Sequence, residues 1–247
     1  MFILALHGFT GCGADFAPLA QIIGGEWHCP ELPGHGPKSQ LDCSPKGTLD
    51  CINKALNHNQ LAVTTQKILL GYSMGARAAL LHATHHPDVW DALILISGNP
   101  GVENEINRSD RRIADAELAD SIERLGVKTF LEFWQETPLI RSQKEISANH
   151  QAFMQANRLK NTSVGLAKSL RQFGQGSTPN LWLEIGKLAM PALLITGEKD
   201  TKYTNIAQRM QKVLPNASHV SILNTSHIPH LEQSDSVEKA IKNFLSK

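Results

Sequence analysis

Lys67-Ile-Leu-Leu-Gly-Tyr-Ser-Met-Gly-Ala-Arg-Ala-Ala-Leu-Leu-His-Ala83 decides the fold. Its first part, Lys67-Ile-Leu-Leu70, is a short apolar run suited to a buried strand. Its last part, from Ala76 to Ala83, is rich in good helix formers. Between them Gly71-Tyr-Ser-Met-Gly75 has the form G-x-S-x-G. At a strand-to-helix turn this pattern holds the serine on a strained elbow, with its hydroxyl exposed at the start of the helix. The glycines are needed where strand and helix pack too closely for a side chain. Ser73 is the candidate nucleophile or base.

A serine so placed needs a base and an acid, expected in the chain order Ser, Asp, His. Ala192-Leu-Leu-Ile-Thr196 reads as a buried strand, and Gly197-Glu-Lys-Asp200 leaves it as a turn. A second run, Val220-Ser-Ile-Leu223, leads into Asn224-Thr-Ser-His227. Asp200 and His227 therefore fall at carboxyl ends of successive strands. In such a triad the imidazole takes the serine proton, and the carboxylate fixes the tautomer. Glu198 is the competing acid; His219 and His230 are the competing bases. His219 sits at the head of its strand, away from the carboxyl edge, and His230 and Glu232 are expected to begin or cap the final helix. At the amino end, Phe2-Ile-Leu-Ala-Leu6 runs into His7-Gly-Phe-Thr-Gly11, a turn able to aim backbone N–H groups at an oxyanion. Phe9 and Met74 are the expected oxyanion-hole amides. Glu31-Leu-Pro-Gly-His-Gly36 is a second punctuated turn, equally readable as a plain Pro/Gly loop.

Strand-like runs at 2–6, 67–70 and 92–96, with a weaker one near Trp27, alternate with helical stretches at 14–23 and 45–57. From Asn99 to about Leu188 the text turns polar and helical, with no convincing strand. After Met190-Pro191 the alternation resumes. The expected architecture is an α/β core, residues 1–98 and 190–247, with a mostly parallel sheet flanked by helices and a helical lid, residues 99–189, inserted over its carboxyl edge. A separate helical domain is the weaker alternative for the middle stretch, because core strands resume directly after it.

At 247 residues the chain suffices for one large α/β domain. Its 24 Lys+Arg against 23 Asp+Glu leave a net charge of +1, which offers no attraction for nucleic acid or an acidic membrane surface. Cys12, Cys29, Cys43 and Cys51 form no C-x-x-C pair and no zinc-like spacing, as expected of reduced thiols. No apolar run approaches the roughly 20 residues of a membrane span, and Met1 leads straight into strand residues without a basic leader. The chain reads as soluble and cytoplasmic.

The charged residues of the lid and elbow bear on the ligand. Arg77 lies four residues after Ser73, one helical turn along the same face. Asn107-Arg-Ser-Asp-Arg-Arg112 carries three more arginines, Arg158 follows a helical stretch, and Phe133-Trp134 precedes Thr137-Pro138. Arginine grips carboxylates in bidentate fashion, so several over a serine site point to a polyanionic small molecule. A solvated surface role competes for each one singly, least well for Arg77.

The elbow, the H-G-F-x-G turn, the E-L-P-G-H-G turn and the late G-E-x-D and H-x-x-H-x-E segments together resemble the α/β-hydrolase superfamily. Within it the chain is similar to the 2-succinyl-6-hydroxy-2,4-cyclohexadiene-1-carboxylate (SHCHC) synthases of menaquinone biosynthesis. The closer match is carried by Gly71-Tyr-Ser-Met-Gly-Ala-Arg77, Ser97-Gly-Asn-Pro-Gly101, Arg108-Ser-Asp-Arg111 with Asp115, Trp134 with Pro138, Arg158 with Asn161, and Gly197-Glu-Lys-Asp-Thr-Lys-Tyr203. The resemblance implies a lyase that expels pyruvate from 2-succinyl-5-enolpyruvyl-6-hydroxy-3-cyclohexene-1-carboxylate. Ser73, activated by His227 and Asp200, would remove a ring proton, and no acyl-enzyme is needed. The family's substrate contacts fall on Tyr72, Arg77, Arg111, Trp134 and Arg158, and neither metal nor organic cofactor is implied. Glu31 and Ala76 stand where the family commonly has Asp and Gly, and the strands that often lead this fold are expected to be short or absent. Two readings compete: an esterase, thioesterase or carbon–carbon hydrolase using Ser73 as nucleophile, and a ligand-binding protein that has lost catalysis.

Overall fold

The computed structural model describes residues 1–57, 65–137 and 140–246; Pro138 lies outside the described residues. In chain order the elements are β1 (Phe2–Leu6), α1 (Ala17–Ile23), β2 (Glu26–His28), α2 (Pro45–Asn57), β3 (Lys67–Tyr72), α3 (Met74–His85) and β4 (Ala92–Ile96). The inserted helices follow: α4 (Glu105–Trp134), α5 (Ala148–Arg158) and α6 (Ser163–Phe173). Then come β5 (Ala192–Gly197), α7 (Thr201–Val213), β6 (Ala217–Ile222), α8 (Pro229–Glu232) and α9 (Ser234–Leu245).

Among the described residues, six strands form one sheet in the order β2-β1-β3-β4-β5-β6, with every neighbouring pair parallel. The fold is thus an α/β-hydrolase fold with an all-parallel sheet rather than a mostly parallel one. β1, β3, β4 and β5 are apolar on both sides because helices cover both faces. Leu4, Leu6, Leu69, Leu93 and Leu194 face one layer with Ile52, Ala79, Leu80 and Met210. Ile3, Ile68, Leu70, Ile94 and Ile195 face the other with Leu19, Val237 and Ile241. The chain reverses its direction of sheet growth at β1, running first to β2 and then back to β3. Crevices at the carboxyl ends of strands at such a point are where α/β sheets bind ligands. The turn after β1 and the elbow after β3 flank that point.

The stretch expected as lid to residue 189 divides in two. Helices α4 and α6 pack on each other around Ala119, Ile122, Phe130, Leu131, Leu166 and Leu170, a small core of their own. Leu181, Trp182, Ile185 and Leu188 instead join the core layer beneath the sheet. Their apolar side chains find more buried surface there than over the cavity. α4 is broken at Gly126, whose φ of 77° and ψ of 161° belong to a region open to glycine alone. No described helix is long and apolar enough to cross a membrane.

Candidate active site

Ser73 ends β3 with φ 52° and ψ −107°, a conformation few non-glycine residues adopt. The strain is held by packing on both sides. A Cβ at Gly75 would stand 1.9 Å from the Leu6 carbonyl oxygen, and one at Gly71 would stand 2.4 Å from that of Gly75. The Ser73 N–H is fixed by the Ile96 carbonyl at 2.9 Å. So β1, β3 and the first turn of α3 meet with no room for a side chain, and the hydroxyl is turned outward.

Ser73 Oγ lies 3.0 Å from His227 Nε2, and His227 Nδ1 lies 2.6 Å from Asp200 Oδ2. The carboxylate accepts a hydrogen bond from Nδ1–H, which leaves Nε2 to accept from the serine hydroxyl. Asp200 sits just past β5 and caps α7, its other oxygen accepting from the Tyr203 N–H at 3.2 Å. The His227 loop is bolted from two sides. Ser97 Oγ donates to the His227 carbonyl at 2.9 Å, and the Ser226 N–H donates to Glu232 at 2.6 Å. The Tyr203 ring covers the imidazole with ring centres 4.5 Å apart.

The competing groups are engaged elsewhere. Glu198 accepts from the Asn224 N–H at 2.9 Å, and His219, inside β6, bonds Thr196 Oγ1 at 2.8 Å. His230 corrects an expectation, since it does not cap the last helix. It is fully buried between Phe16 and Tyr72, because α8 turns it toward the core layer that holds Leu19, Val237 and Ile241. Burial drives its pKa down to about 3, so it is a neutral ring. Glu232 braces the His227 loop rather than a helix end.

Phe9 and Met74 both reach the cavity beside Ser73. Met74 opens α3, so its N–H has no partner within the helix. The turn carrying Phe9 is braced by the Glu31–Gly36 loop, which is therefore more than a plain connection. His7 Nε2 accepts from the Leu32 N–H at 3.0 Å, Glu31 from the Gly13 N–H at 3.2 Å, and His35 Nε2 from the Thr10 N–H at 3.3 Å. Asn161 joins the inserted helices to both turns. It donates to the Thr10 carbonyl and accepts from the Gly36 N–H, each at 2.9 Å.

Over these groups lies a cavity of about 340 Å³. Tyr72, Arg77, Arg111, Trp134 and Arg158, the substrate contacts implied by the family resemblance, all line it. Arg77 and Arg158 are buried, with 8% and 7% of their surface exposed. One Arg77 nitrogen donates to the Phe173 carbonyl at 3.1 Å, and one Arg158 nitrogen to Gln143 Oε1 at 2.6 Å. The Nε of each has no hydrogen-bond partner. Burial lowers the pKa of both guanidiniums, the direction expected of cations taken out of water. Arg111 is tied through Nε to the buried Asp115 at 2.8 Å. Its neighbours Arg108 and Arg112 turn instead to the Gly176 carbonyl, both at 3.3 Å, and do not line the cavity. Trp134 packs against Phe9 and Phe130, with its buried indole N–H unpartnered.

Asp15, Gln143, Gln175 and Tyr203 also line the cavity, although sequence gave them no role there. Asp15 and the two glutamines belong to no motif. Tyr203 lay within a matched segment but carried no separate signal. Burial raises the Asp15 pKa. Among the described residues no group of three or more His, Cys, Asp or Glu side chains is arranged to hold a metal ion.

Residues 3–240 match the alpha/beta hydrolase family. The chain belongs to that family. It is 32% identical over 262 residues to a candidate 2-succinyl-6-hydroxy-2,4-cyclohexadiene-1-carboxylate synthase of Bacillus subtilis (strain 168), covering 99% of this chain and 90% of the relative. With the synthase of that name from Salmonella paratyphi C (strain RKS4594) identity is 27% over 248 residues, covering 98% of this chain and 93% of the relative. The solved structure of MenH from S. aureus superposes with a TM-score of 0.92 at 30% identity, covering 100% of this chain and 93% of that one. The α/β-hydrolase chain described here is thus homologous to SHCHC synthases along nearly its whole length.

Proposed function

We propose that this chain is an SHCHC synthase, a carbon–oxygen lyase that eliminates pyruvate from 2-succinyl-5-enolpyruvyl-6-hydroxy-3-cyclohexene-1-carboxylate, a step toward menaquinone. The observation that carries the reading is a pair of buried guanidiniums, Arg77 and Arg158, that line the cavity beside Ser73 while the Nε of each has no hydrogen-bond partner. An uncompensated buried cation is costly, and a polycarboxylate ligand is what offsets it. An uncharged ester would leave both unpaired.

In this reading His227 draws the proton from Ser73 Oγ, and the serine oxygen takes a proton from the substrate ring. The C2–H electrons form a C2=C3 double bond, the C3=C4 pair shifts to C4=C5, and the C5–O bond to the enolpyruvyl group breaks. The departing enolpyruvate takes up a proton at carbon to become pyruvate. Asp200 stabilises the imidazolium formed meanwhile. The amides of Phe9 and Met74 hold developing enolate or carboxylate oxygen. Tyr72, Arg77, Arg111, Trp134 and Arg158 grip the substrate, and the inserted helices serve as a lid that excludes water. No cofactor is needed, because the leaving group departs with its own electrons.

The test is pyruvate release from the enolpyruvyl substrate, coupled to lactate dehydrogenase. Ser73→Ala should abolish turnover. Arg77→Ala should lower kcat/KM by about 100- to 1000-fold, the cost of about 3–4 kcal/mol for a lost charged contact. Absence of release, with hydrolysis of p-nitrophenyl esters that needs Ser73 and ignores Arg77, would replace the lyase by an esterase. The Ser73–His227 hydrogen bond is as suited to acyl transfer, so this arm is informative.

A further inference from the structure

The charged groups of the cavity fall into two neighbourhoods. Around Arg77 the groups felt electrostatically are Tyr203, Arg111 and Asp115. Around Arg158 they are Asp15, Tyr72 and Cys12. Each buried guanidinium therefore has a tyrosine for company. At the Arg158 end a half-buried carboxylate, Asp15, is the foremost charge felt and offsets some of it, although it also accepts from the Cys12 N–H at 3.0 Å. At the Arg77 end Asp115 is occupied by Arg111 Nε at 2.8 Å and by the Gly176 N–H at 3.2 Å. Arg77 thus faces the cavity with the weaker local compensation.

Tyr203 is placed to complete that end. Its Oη accepts a hydrogen bond from Gln175 Nε2 at 3.1 Å, and both side chains line the cavity. An amide nitrogen only donates, so the phenol's own proton is left for another acceptor. Arg77 is the first charged group that the hydroxyl feels, followed by Asp200 and Arg111. The rest of Tyr203 is fixed: its N–H caps Asp200 and its ring lies on His227. Only the hydroxyl is without a structural duty beyond the Gln175 bond.

We propose that Tyr203 is a substrate-binding residue: its hydroxyl, turned by Gln175, donates a hydrogen bond to the carboxylate that Arg77 holds. The Arg77 end of the cavity is then a composite carboxylate subsite, built of one guanidinium and one neutral donor. It prefers a carboxylate to an amide or ester of the same shape, because only an anion offsets the guanidinium charge and makes both hydrogen bonds charge-assisted. The identity of the full substrate rests on the lyase reading above; the subsite itself would take any small carboxylate that fits.

The decisive variant is Tyr203→Phe, which keeps the ring on His227 and the N–H on Asp200. Three readouts are taken: kcat and KM for pyruvate release, the Kd of succinate by calorimetry, and the rate at which a fluorophosphonate labels Ser73. The expected result is a KM raised about 10- to 50-fold with kcat within threefold, a succinate Kd raised about tenfold, and Ser73 labelling at half the wild-type rate or better. In an Arg77→Met background the same change should add less than threefold. Gln175→Met, which frees the hydroxyl to turn, should reproduce part of the KM effect. Unchanged KM and unchanged succinate binding in Tyr203→Phe would overturn the proposal. So would a loss of labelling in proportion to turnover, since Tyr203 would then only hold the triad in place. If the wild type releases no pyruvate but binds succinate through Tyr203, the lyase reading falls and the subsite stands. If the wild type releases pyruvate and Tyr203→Phe behaves like it, the subsite alone falls.

Discussion

Arg77 is a cation whose burial works against stability. Its guanidinium is buried on the elbow helix with one hydrogen bond, to the Phe173 carbonyl, and an unpartnered Nε. A cation so placed destabilises the free protein, and replacing it by an apolar side chain of similar length removes that cost. Arg77→Met should therefore raise the unfolding free energy by about 1–2 kcal/mol in a urea titration while pyruvate release collapses. A fall in stability would mean that the Phe173 bond outweighs the buried charge. Lysine is no substitute here, because an ammonium lacks the planar fork and loses its proton readily when buried.

At the scale of elements, Asn161 supplies two of the polar ties between the inserted helices and the core. Lying between α5 and α6, it satisfies the Thr10 carbonyl of the His7–Gly11 turn and the Gly36 N–H of the bracing loop. Removing it leaves two groups of the core unpaired, at about 1–3 kcal/mol each where they stay dry. Asn161→Ala should loosen the turn and the insertion together. Amide hydrogen exchange should speed up in α5, α6 and the His7–Gly11 turn, with β4 and β5 protected as before. If exchange stays unchanged in the turn, the two units are not coupled through Asn161. The break of α4 at Gly126 fits the same division of labour. A straight helix of that length could not keep both Arg111 and Trp134 over one cavity.

For the molecule as a whole, three buried histidines set the response to acid. His35, His82 and His230 all have pKa values pushed down to about 3 by burial, against an ordinary value near 6.5. They are neutral in the native state at pH 5–6, whereas the unfolded chain protonates them there. Their contribution to stability is complete above pH 6.5 and is lost as pH falls from there toward 3. Between pH 7.5 and 5.5 each should cost about 1.4 kcal/mol, or about 4 kcal/mol for the three. Urea unfolding at the two pH values measures this, and a flat profile would contradict the burial of these rings as neutral groups. Glu31, its pKa lowered mainly by its contacts with His7 against the opposing pull of burial, adds loss in the same direction below its ordinary range. Asp15, raised by burial, works the other way and softens the decline at lower pH.

The sequence by itself determined the alternation of strands and helices, the elbow at Ser73 and the order Ser73, Asp200, His227. Each rests on short-range rules: apolar runs that must be buried, glycines where backbones meet, and loops at carboxyl ends of parallel strands. Only the tertiary structure decided which lid side chains reach the cavity. Arg111 turns in while Arg108 and Arg112 turn to Gly176, because the packing of α4 on α6 sets the rotation of the helix. Asp15, Gln143, Gln175 and Tyr203 come together from four separate segments, and no local pattern records such a meeting. His230 is buried and neutral for a like reason: what surrounds a side chain is settled by elements distant in sequence. Local chemistry named the candidate reacting groups, and long-range packing built the cavity beside them.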